Sequence, residues 1–555
     1  MRNLVLLSML VACAILISAC ATPTPLAPTL APTTIAIAPG APANTPTAPA
    51  QATAIIAPPT ATGAPSATPT LEPTATATIT PSPTIAPTST PLPVREIAQC
   101  SEIWQPGYYK LVADLKAPTN RDCIYVQSHN VVFDCDNHTI QGTERKDKKY
   151  EFYGFFVRKF NFPFMETPTN VEIKNCKLRY LRTGIFVGGG NNIYIHHNDF
   201  SNNRDDTDER RFGVFLGQAD AGGLRLDTVN GGVVEFNTAN NQAVGIDVRD
   251  SQNVSVRNNT AAVNSAWGIN FINVQNSEIL TNTLRDNIRW CAWGSGTVAE
   301  GCDAGGIILQ TGSSNNVVRG NFVDGQNGNG IFIKAHAVPC GNNNLIQGNK
   351  IVNAKWNAIE FSFCKGNKVI GNEITGSYDA VWLGFSDGTE IRDNVITNMT
   401  NHGIISYNSR NTIVANNTIV NSREGIYFYW DTWDAKQFFF LTPSPDRYAS
   451  RDNLIANNTI HDNAVAGIRL QNSIFNRLES NNLFRNGTNI RVEGRADGIV
   501  IVTPTPPPTA PPTATFTPTA FATATTAPTL TTTPTITPTA TITPSPRPSA
   551  TPTRR

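Results

Sequence analysis

NKVIGNEITGSYDAVWLGFSDGTEIRDNVITNMTNHGIISYNSRNTIVANNTIVN, residues 367–421, contains one phrase three times. The phrase is Asn, any residue, Ile, a polar turn, then a small residue leading an apolar run, then a second polar turn. Its anchors are Asn372-Glu373-Ile374, Asn394-Val395-Ile396 and Asn417-Thr418-Ile419, spaced 22 and 23 residues apart. A fixed spacing of this length marks a repeat architecture. The anchor recurs at positions 138, 176, 198, 237, 259, 282, 321, 349, 458 and 481. Seven of the twelve steps between copies are 22 or 23 residues, and the rest are one unit plus an insertion.

The period dictates an architecture. Apolar runs such as Ala380-Val381-Trp382-Leu383 are too short for helices and read as strands. One unit cannot bury its own apolar face, whereas stacked units bury it in columns of Ile, Leu and Val. Asn and Gly suit the turns because both tolerate positive φ. The expectation is an all-β, single-stranded parallel β-helix of about 13 coils and roughly 60 Å length. It is expected to be right-handed, as parallel β crossovers are.

The entry segment carries a closer resemblance. Cys100, Pro106-Gly107-Tyr108-Tyr109-Lys110-Leu111, Cys123-Ile124, Asn130-Val131-Val132-Phe133-Asp134-Cys135 and His138-Thr139-Ile140 resemble the first coil of NosD-like surface proteins. The repeat itself resembles that of the NosD-like and pectate-lyase-like superfamily over roughly residues 95–500. The resemblance implies the fold. It leaves activity open, because this fold hosts lyases, hydrolases, epimerases, adhesins and inert shafts. It also implies a copper-related periplasmic factor as a minor alternative; soft copper sites favour Met and Cys, and the four Met form no cluster.

The flanks read differently. Residues 1–20 have a basic start, an apolar core and the ending Ile17-Ser18-Ala19-Cys20, which resembles a bacterial lipobox. This implies lipidation at Cys20, membrane attachment through that lipid, and display on a bacterial cell surface. An ordinary secretory signal is the alternative. Residues 21–94 and 503–555 are Thr, Pro, Ala and Ser almost throughout, expected to be disordered because such composition builds no core. The β-helix is therefore expected over 95–502.

A net charge of +1 with 15% charged residues excludes the basic footprint of a nucleic-acid binder. A monomer is expected. Ten cysteines become eight once Cys13 and Cys20 are set aside, an even number in an exported chain. Cys340 and Cys364 occupy equivalent places in successive units and are expected to pair. Cys291 and Cys302 bracket one insertion and are expected to staple it. Cys100–Cys123 and Cys135–Cys176 follow by elimination.

Insertions fall on either side of the strand that begins at Gly213, Gly245, Gly268, Gly306, Gly330, Ala358, Ala380, Gly403, Gly425 and Gly467. They are 143–153, 204–212 and 285–305 before it, and 160–169, 218–230, 335–341 and 430–451 after it. Loops on both edges of one strand stack form the walls of a groove. Alternation then places Phe215, Asp247, Ile308, Phe332, Glu360, Trp382 and Tyr427, with Arg249, Lys334, Tyr407 and Tyr429, on the outward side. Aromatic rings among acids and bases suit a sugar chain. The residues expected to bind substrate are Trp382, Tyr407, Tyr427, Tyr429, Asp247 and Arg249. The other reading of the same rings is that they pack under a loop.

Just before the small residue, Asp379, His402 and Glu424 follow one another at one-coil spacing, placing an imidazole between two carboxylates. With Lys334, His336 and Glu360 they are the candidate catalytic groups, suited to neutralising a uronate carboxylate and moving its α-proton. A solvated turn is the plain alternative. Asp205-Asp206-Thr207-Asp208-Glu209 offers oxygen ligands for Ca²⁺, or a solvated loop; no other metal is indicated. The Gly-His-Gly and Arg-Ile-Lys phrases of galacturonan hydrolases, the Asp-Pro-His of mannuronan epimerases and the Trp-Ile-Asp-His of pectate lyases are all absent. Three functions stay open: a polysaccharide-binding surface protein, a structural shaft or adhesin, and a polysaccharide lyase or hydrolase.

Overall fold

In the computed structural model, residues 93–158, 166–205, 222–288, 305–334, 340–430 and 450–502 are described. Every regular element among them is a strand, from Val94–Ile97 to Val500–Val502, and neighbouring strands pair in parallel. Each complete coil has three strands, one per face. In the quoted stretch they are Asp379–Gly384 on the first face, Glu390–Arg392 on the second and Val395–Thr397 on the third. Each pairs with the same face of the next coil: Val381 with Ile404, Ile391 with Val414, Ile396 with Ile419. The first two faces merge into a 29-stranded sheet because Thr183–His196 and Gly222–Glu235 run unbroken round their shared corner. The third face forms sheets of three and nine strands, linked by single bridges through Asp199 and Thr238.

Alternation within each short strand fills the interior. Val381, Leu383, Ile391 and Ile396 have no exposed surface, nor do their counterparts Ile404, Val414 and Ile419 one coil on. Burying each such side chain contributes about 1.5–3 kcal/mol. The small residue that opens the first-face strand is dictated by crowding. A Cβ at Gly403 would lie 2.5 Å from Ile419 Cγ2 and 2.6 Å from the Gly425 carbonyl oxygen.

The anchor asparagines have a different role from the one their turn preference suggests. Positive φ falls one residue earlier, at Gly371, Asp393 and Asn416. The anchors Asn372, Asn394 and Asn417 are buried at the corner between the second and third faces. There the Asn394 backbone N–H donates to Asn417 Oδ1 at 3.0 Å, and Asn394 Nδ2 donates to the same oxygen at 2.9 Å and to the Val369 carbonyl at 3.0 Å. The same amide-to-amide bond links each anchor to the next from Asn198 to Asn481. A shorter ladder through Asn316, Asn344 and Asn367 lines the corner between the first and second faces.

Among the described residues, three disulfides cross-link successive coils: Cys100–Cys123, Cys135–Cys176 and Cys340–Cys364, with Cα separations of 4.6, 4.8 and 5.2 Å. Cys291, Cys302, Cys20, His336, and the flanks 1–92 and 503–555 lie outside the described residues.

Two expectations are corrected. The first-face strand of the coil expected at Gly213 and Phe215 begins instead at Gly222, in register with Thr183 and Val244, so 222–227 is strand and not insertion. A Gly-Gly pair is needed there, because a Cβ on Gly223 would meet Phe200 Cδ2 at 2.4 Å and the Gly245 carbonyl at 2.7 Å. Outward direction also does not mean exposure: Ile308 and Phe332 have no exposed surface, and Asp247 has 3%.

Replacing Asn372 by Leu keeps the volume but strands the Asn349 backbone N–H and the Ile346 carbonyl. It also takes one of two bonds from Asn349 Nδ2 and from Asn394 Oδ1, which keep the Val318 carbonyl and the residue-372 backbone N–H. Urea unfolding of the variant should show a loss of about 3 kcal/mol, since stranded buried polar groups each cost ~1–3 kcal/mol. A loss below about 0.5 kcal/mol would mean that the ladder does not hold the corner.

Candidate functional site

First-face strands His402–Tyr407 and Glu424–Tyr429 sit side by side, with Asp379–Gly384 before them and Ala466–Gln471 after. Their leading residues form an ionic column. Asp379 Oδ1 accepts the His402 backbone N–H at 2.8 Å and faces His402 Nδ1 at 2.8 Å. His402 Nε2 lies 3.5 Å from Glu424 Oε2. Glu424 Oε1 meets Arg469 Nη1 at 3.2 Å, and Arg469 reaches Glu493 at 2.8 Å. Parallel pairing in register creates the column, since the same strand position recurs at about 4.8 Å. These first three groups are not a solvated turn: Asp379, His402 and Glu424 are 3%, 6% and 0% exposed.

Burial alone would discharge His402, but the hydrogen bonds and charges of Asp379 and Glu424 outweigh it and raise its pKa. Glu424 shows the converse. Burial pushes its carboxyl up, while His402, Arg469 and Arg423 together pull it below its ordinary value. The column therefore sets the imidazole between two carboxylates that favour its protonated form, with the Asn401 amide also at Nδ1, 2.7 Å away.

Beside the column runs an aromatic strip. Phe363 stacks on Phe385 with centroids 4.9 Å apart, Phe385 meets Tyr407 edge-on at 5.1 Å, and Tyr407 stacks on Tyr429 at 4.5 Å. Tyr427 stacks on Tyr429 at 4.9 Å and on His402 at 5.3 Å, with the Arg469 guanidinium 4.5 Å over its ring. Its hydroxyl donates to Gln471 Oε1 at 2.5 Å. Trp382 packs against this cluster and lies over Gly384, where a Cβ would come within 2.6 Å of the indole. Trp382, Tyr427 and Tyr429 are half-buried, and Tyr407 is buried.

The structure thus joins Asp379, His402, Glu424, Trp382, Tyr407, Tyr427 and Tyr429 in one strip. Glu360 lies alongside, paired in register with Trp382, its Oε2 accepting from Asn329 and Asn357 at 2.7 Å each. Lys334 ends strand Asn329–Lys334, opposite Gln310. Asp247 and Arg249 do not join them. They lie six coils before His402, roughly 30 Å away, in a polar network of their own: Arg249 Nε to Asp247 at 2.7 Å, Asn270 Nδ2 to Asp247 at 2.9 Å, and Gln310 Nε2 to Asn270 at 2.8 Å. Of the acidic run, Asp205 is described; its buried carboxylate takes Ser265 and Lys148, so it does not present itself to Ca²⁺. Among the described residues no three His, Cys, Asp or Glu side chains converge to hold a metal.

Sequence reasoning missed two groups. Phe363 and Phe385 occupy left-handed turn positions, φ 60° and 50°, where the matching residue of other coils is Asn408 or Asn472. Their signal was the 22-residue spacing of two Phe in a turn that otherwise takes Asn. On the second face, Glu172 holds Lys174 at 2.7 Å and His196 at 3.2 Å, and Glu235 accepts from Tyr194 at 2.6 Å and Arg257 at 2.7 Å. Tyr108 donates to Asp134 at 2.8 Å, and burial with that bond pushes its pKa up to about 12. These groups satisfy one another.

A family model described as the right handed beta helix region matches residues 122–299, 288–383 and 341–503. Comparison with curated proteins finds no match. Solved structures of similar fold include the A-module of mannuronan C-5 epimerase AlgE6 of Azotobacter vinelandii, 15% identical, covering 72% of this chain and 92% of that one, TM-score 0.41. Dettilon tailspike protein is 16% identical over 60% of this chain and 61% of its own, TM-score 0.36. DFA-IIIase of Arthrobacter chlorophenolicus A6, in complex with GF2, is 16% identical over 51% and 70%, TM-score 0.35.

The raised His402 pKa has a definite sign in stability. Its contribution is full below the ordinary imidazole value of 6.5 and is lost as pH rises through the higher folded value. The lowered Glu424 pKa contributes above 4.5 and is lost as pH falls through its folded value. Urea unfolding between pH 5 and 9 should therefore show wild type losing stability relative to His402→Gln as pH climbs above 6.5. A constant difference across that range would refute a charged His402.

Proposed function

The chain belongs to the right-handed β-helix region family, and from that premise we propose that it is an exported surface protein that binds a polysaccharide along the first-face strip. The observation that carries the proposal is the continuity of that strip. Half-buried rings at Trp382, Tyr427 and Tyr429 adjoin a fixed ionic column over successive coils. A sugar chain offers apolar C–H faces to rings and hydroxyls to polar groups, and rings already locked by packing lose little entropy on binding it. The three disulfides support export, because such bonds persist in oxidising compartments. Attachment through a lipid on Cys20, and a monomeric state, complete the reading.

A second reading, cleavage of a uronate-bearing glycan, is favoured by one feature: His402 between two carboxylates can hold or release a proton. Lys334, His336 and Glu360 are its remaining candidate groups.

The test is a glycan array with the full chain, coupled to absorbance at 235 nm for unsaturated uronates. Binding without product is expected, and Trp382→Ala should weaken it about tenfold, or ~1.4 kcal/mol. Rising absorbance that disappears in His402→Gln would establish cleavage. No binding to neutral or acidic glycans, with or without Ca²⁺, would leave a structural shaft.

A further inference from the structure

The strip has one shortcoming as a platform: its ring faces are largely spent on each other. Tyr427 lies between His402 and Arg469, Tyr407 touches Phe385 and Tyr429, and Trp382 lies over Gly384. Open rings stand in the neighbouring row, at the corner where the third face turns into the first. Trp356 and Tyr378 each immediately precede a first-face strand, and they are 39% and 41% exposed. They occupy successive coils: the Tyr378 backbone N–H donates to the Trp356 carbonyl at 3.1 Å, and that of Asn401 to the Tyr378 carbonyl at 2.9 Å. The two rings meet edge-on, centroids 5.8 Å apart.

The exposed charges that flank these rings are cations. Lys355 adjoins Trp356, and Arg423 follows Asn401 one coil on; both are exposed. Arg423 Nη1 donates to Asn401 Oδ1 at 3.1 Å, and among the described residues neither cation forms an ion pair. The carboxylates nearest in sequence are engaged elsewhere: Asp379 and Glu424 are buried against His402, with Arg469 also on Glu424, and the half-buried Glu360 accepts from Asn329 and Asn357. A row of two open rings flanked by two exposed cations without a contact ion pair, its neighbouring acids already engaged, complements a ligand of sugar rings bearing negative groups.

We infer that the row Lys355, Trp356, Tyr378, Asn401 and Arg423 is a binding rim for an acidic glycan, carboxylate- or sulfate-bearing, lying along the helix axis. The inference rests on the polysaccharide reading and names the substrate class for it. Trp356 and Tyr378 take ring faces, Arg423 and Lys355 take the anionic groups, and Asn401 orients the Arg423 guanidinium.

The experiment uses the full chain and measures affinity for polygalacturonate, for the same polymer with its carboxyls reduced, and for chondroitin sulfate, each at low and high salt. Wild type should bind at least one acidic polymer at least tenfold more tightly than the reduced one, and salt should narrow the gap. The tighter acidic polymer identifies the anionic group. Arg423→Gln should lose about tenfold on that polymer and little on the reduced one. Trp356→Ala with Tyr378→Ala should lose at least tenfold on both, with an unchanged unfolding midpoint as the check on folding. Equal affinity for charged and reduced polymers overturns the inference. So do rim variants that bind like wild type while Trp382→Ala loses binding, a result that leaves the polysaccharide reading standing. A wild type that binds no polymer removes both. If the Trp356 and Tyr378 change abolishes self-association and not glycan binding, the rim is a contact between copies of this chain and the inference fails.

Discussion

A buried amide ladder carries the architecture. A β-helix must turn its chain three times per coil, and each turn brings backbone N–H and C=O groups to the edge of a dry interior. An unpaired group there costs as much as the burial of an aliphatic side chain gains. Asparagine meets the difficulty because one side chain holds both a donor and an acceptor. Asn394 takes two hydrogens from Asn372 on its oxygen and gives its own to Asn417 and to the Val369 carbonyl. The ladder therefore repeats the hydrogen-bond logic of the sheets at a corner where no strand can continue. Its period is the coil spacing, so it also fixes the register of every strand it follows.

Fixed register is what allows chemistry on the outside. Because Asp379, His402 and Glu424 each stand one position before the small residue, the ladder brings them into contact without any loop to position them. The small residue itself matters here. It brings the strands of neighbouring coils close, and the side chain before it is then enclosed rather than solvated. The charges survive that enclosure only as a group, since each alone would be discharged or shifted by burial.

Several of these relations could be read from residues in a line. The 22- and 23-residue steps gave the coil, the alternation of Val381 and Leu383 against Trp382 gave the interior, and equivalent places in successive coils paired Cys340 with Cys364. The position of positive φ could not be read this way. Asparagine favours both left-handed turns and stacked amide ladders, and only the packed corner shows that the anchor does the second while its predecessor does the first. The strand expected at Gly213 begins at Gly222, and the register that pairs Gly222 with Thr183 and Val244 could not be read from the local pattern.

By itself, then, the sequence determined the period, the inward columns and which residues share a row, because these depend on spacing alone and spacing survives any detail of packing. Exposure was decided only by the tertiary structure. Phe332, Trp382 and Tyr427 hold the same strand position, yet one is buried and two are half-buried. The open rings of Trp356 and Tyr378 stand in a row that alternation treats as turn. The physical reason is that burial is a property of everything that surrounds a side chain, and a repeat specifies only its neighbours along the stack.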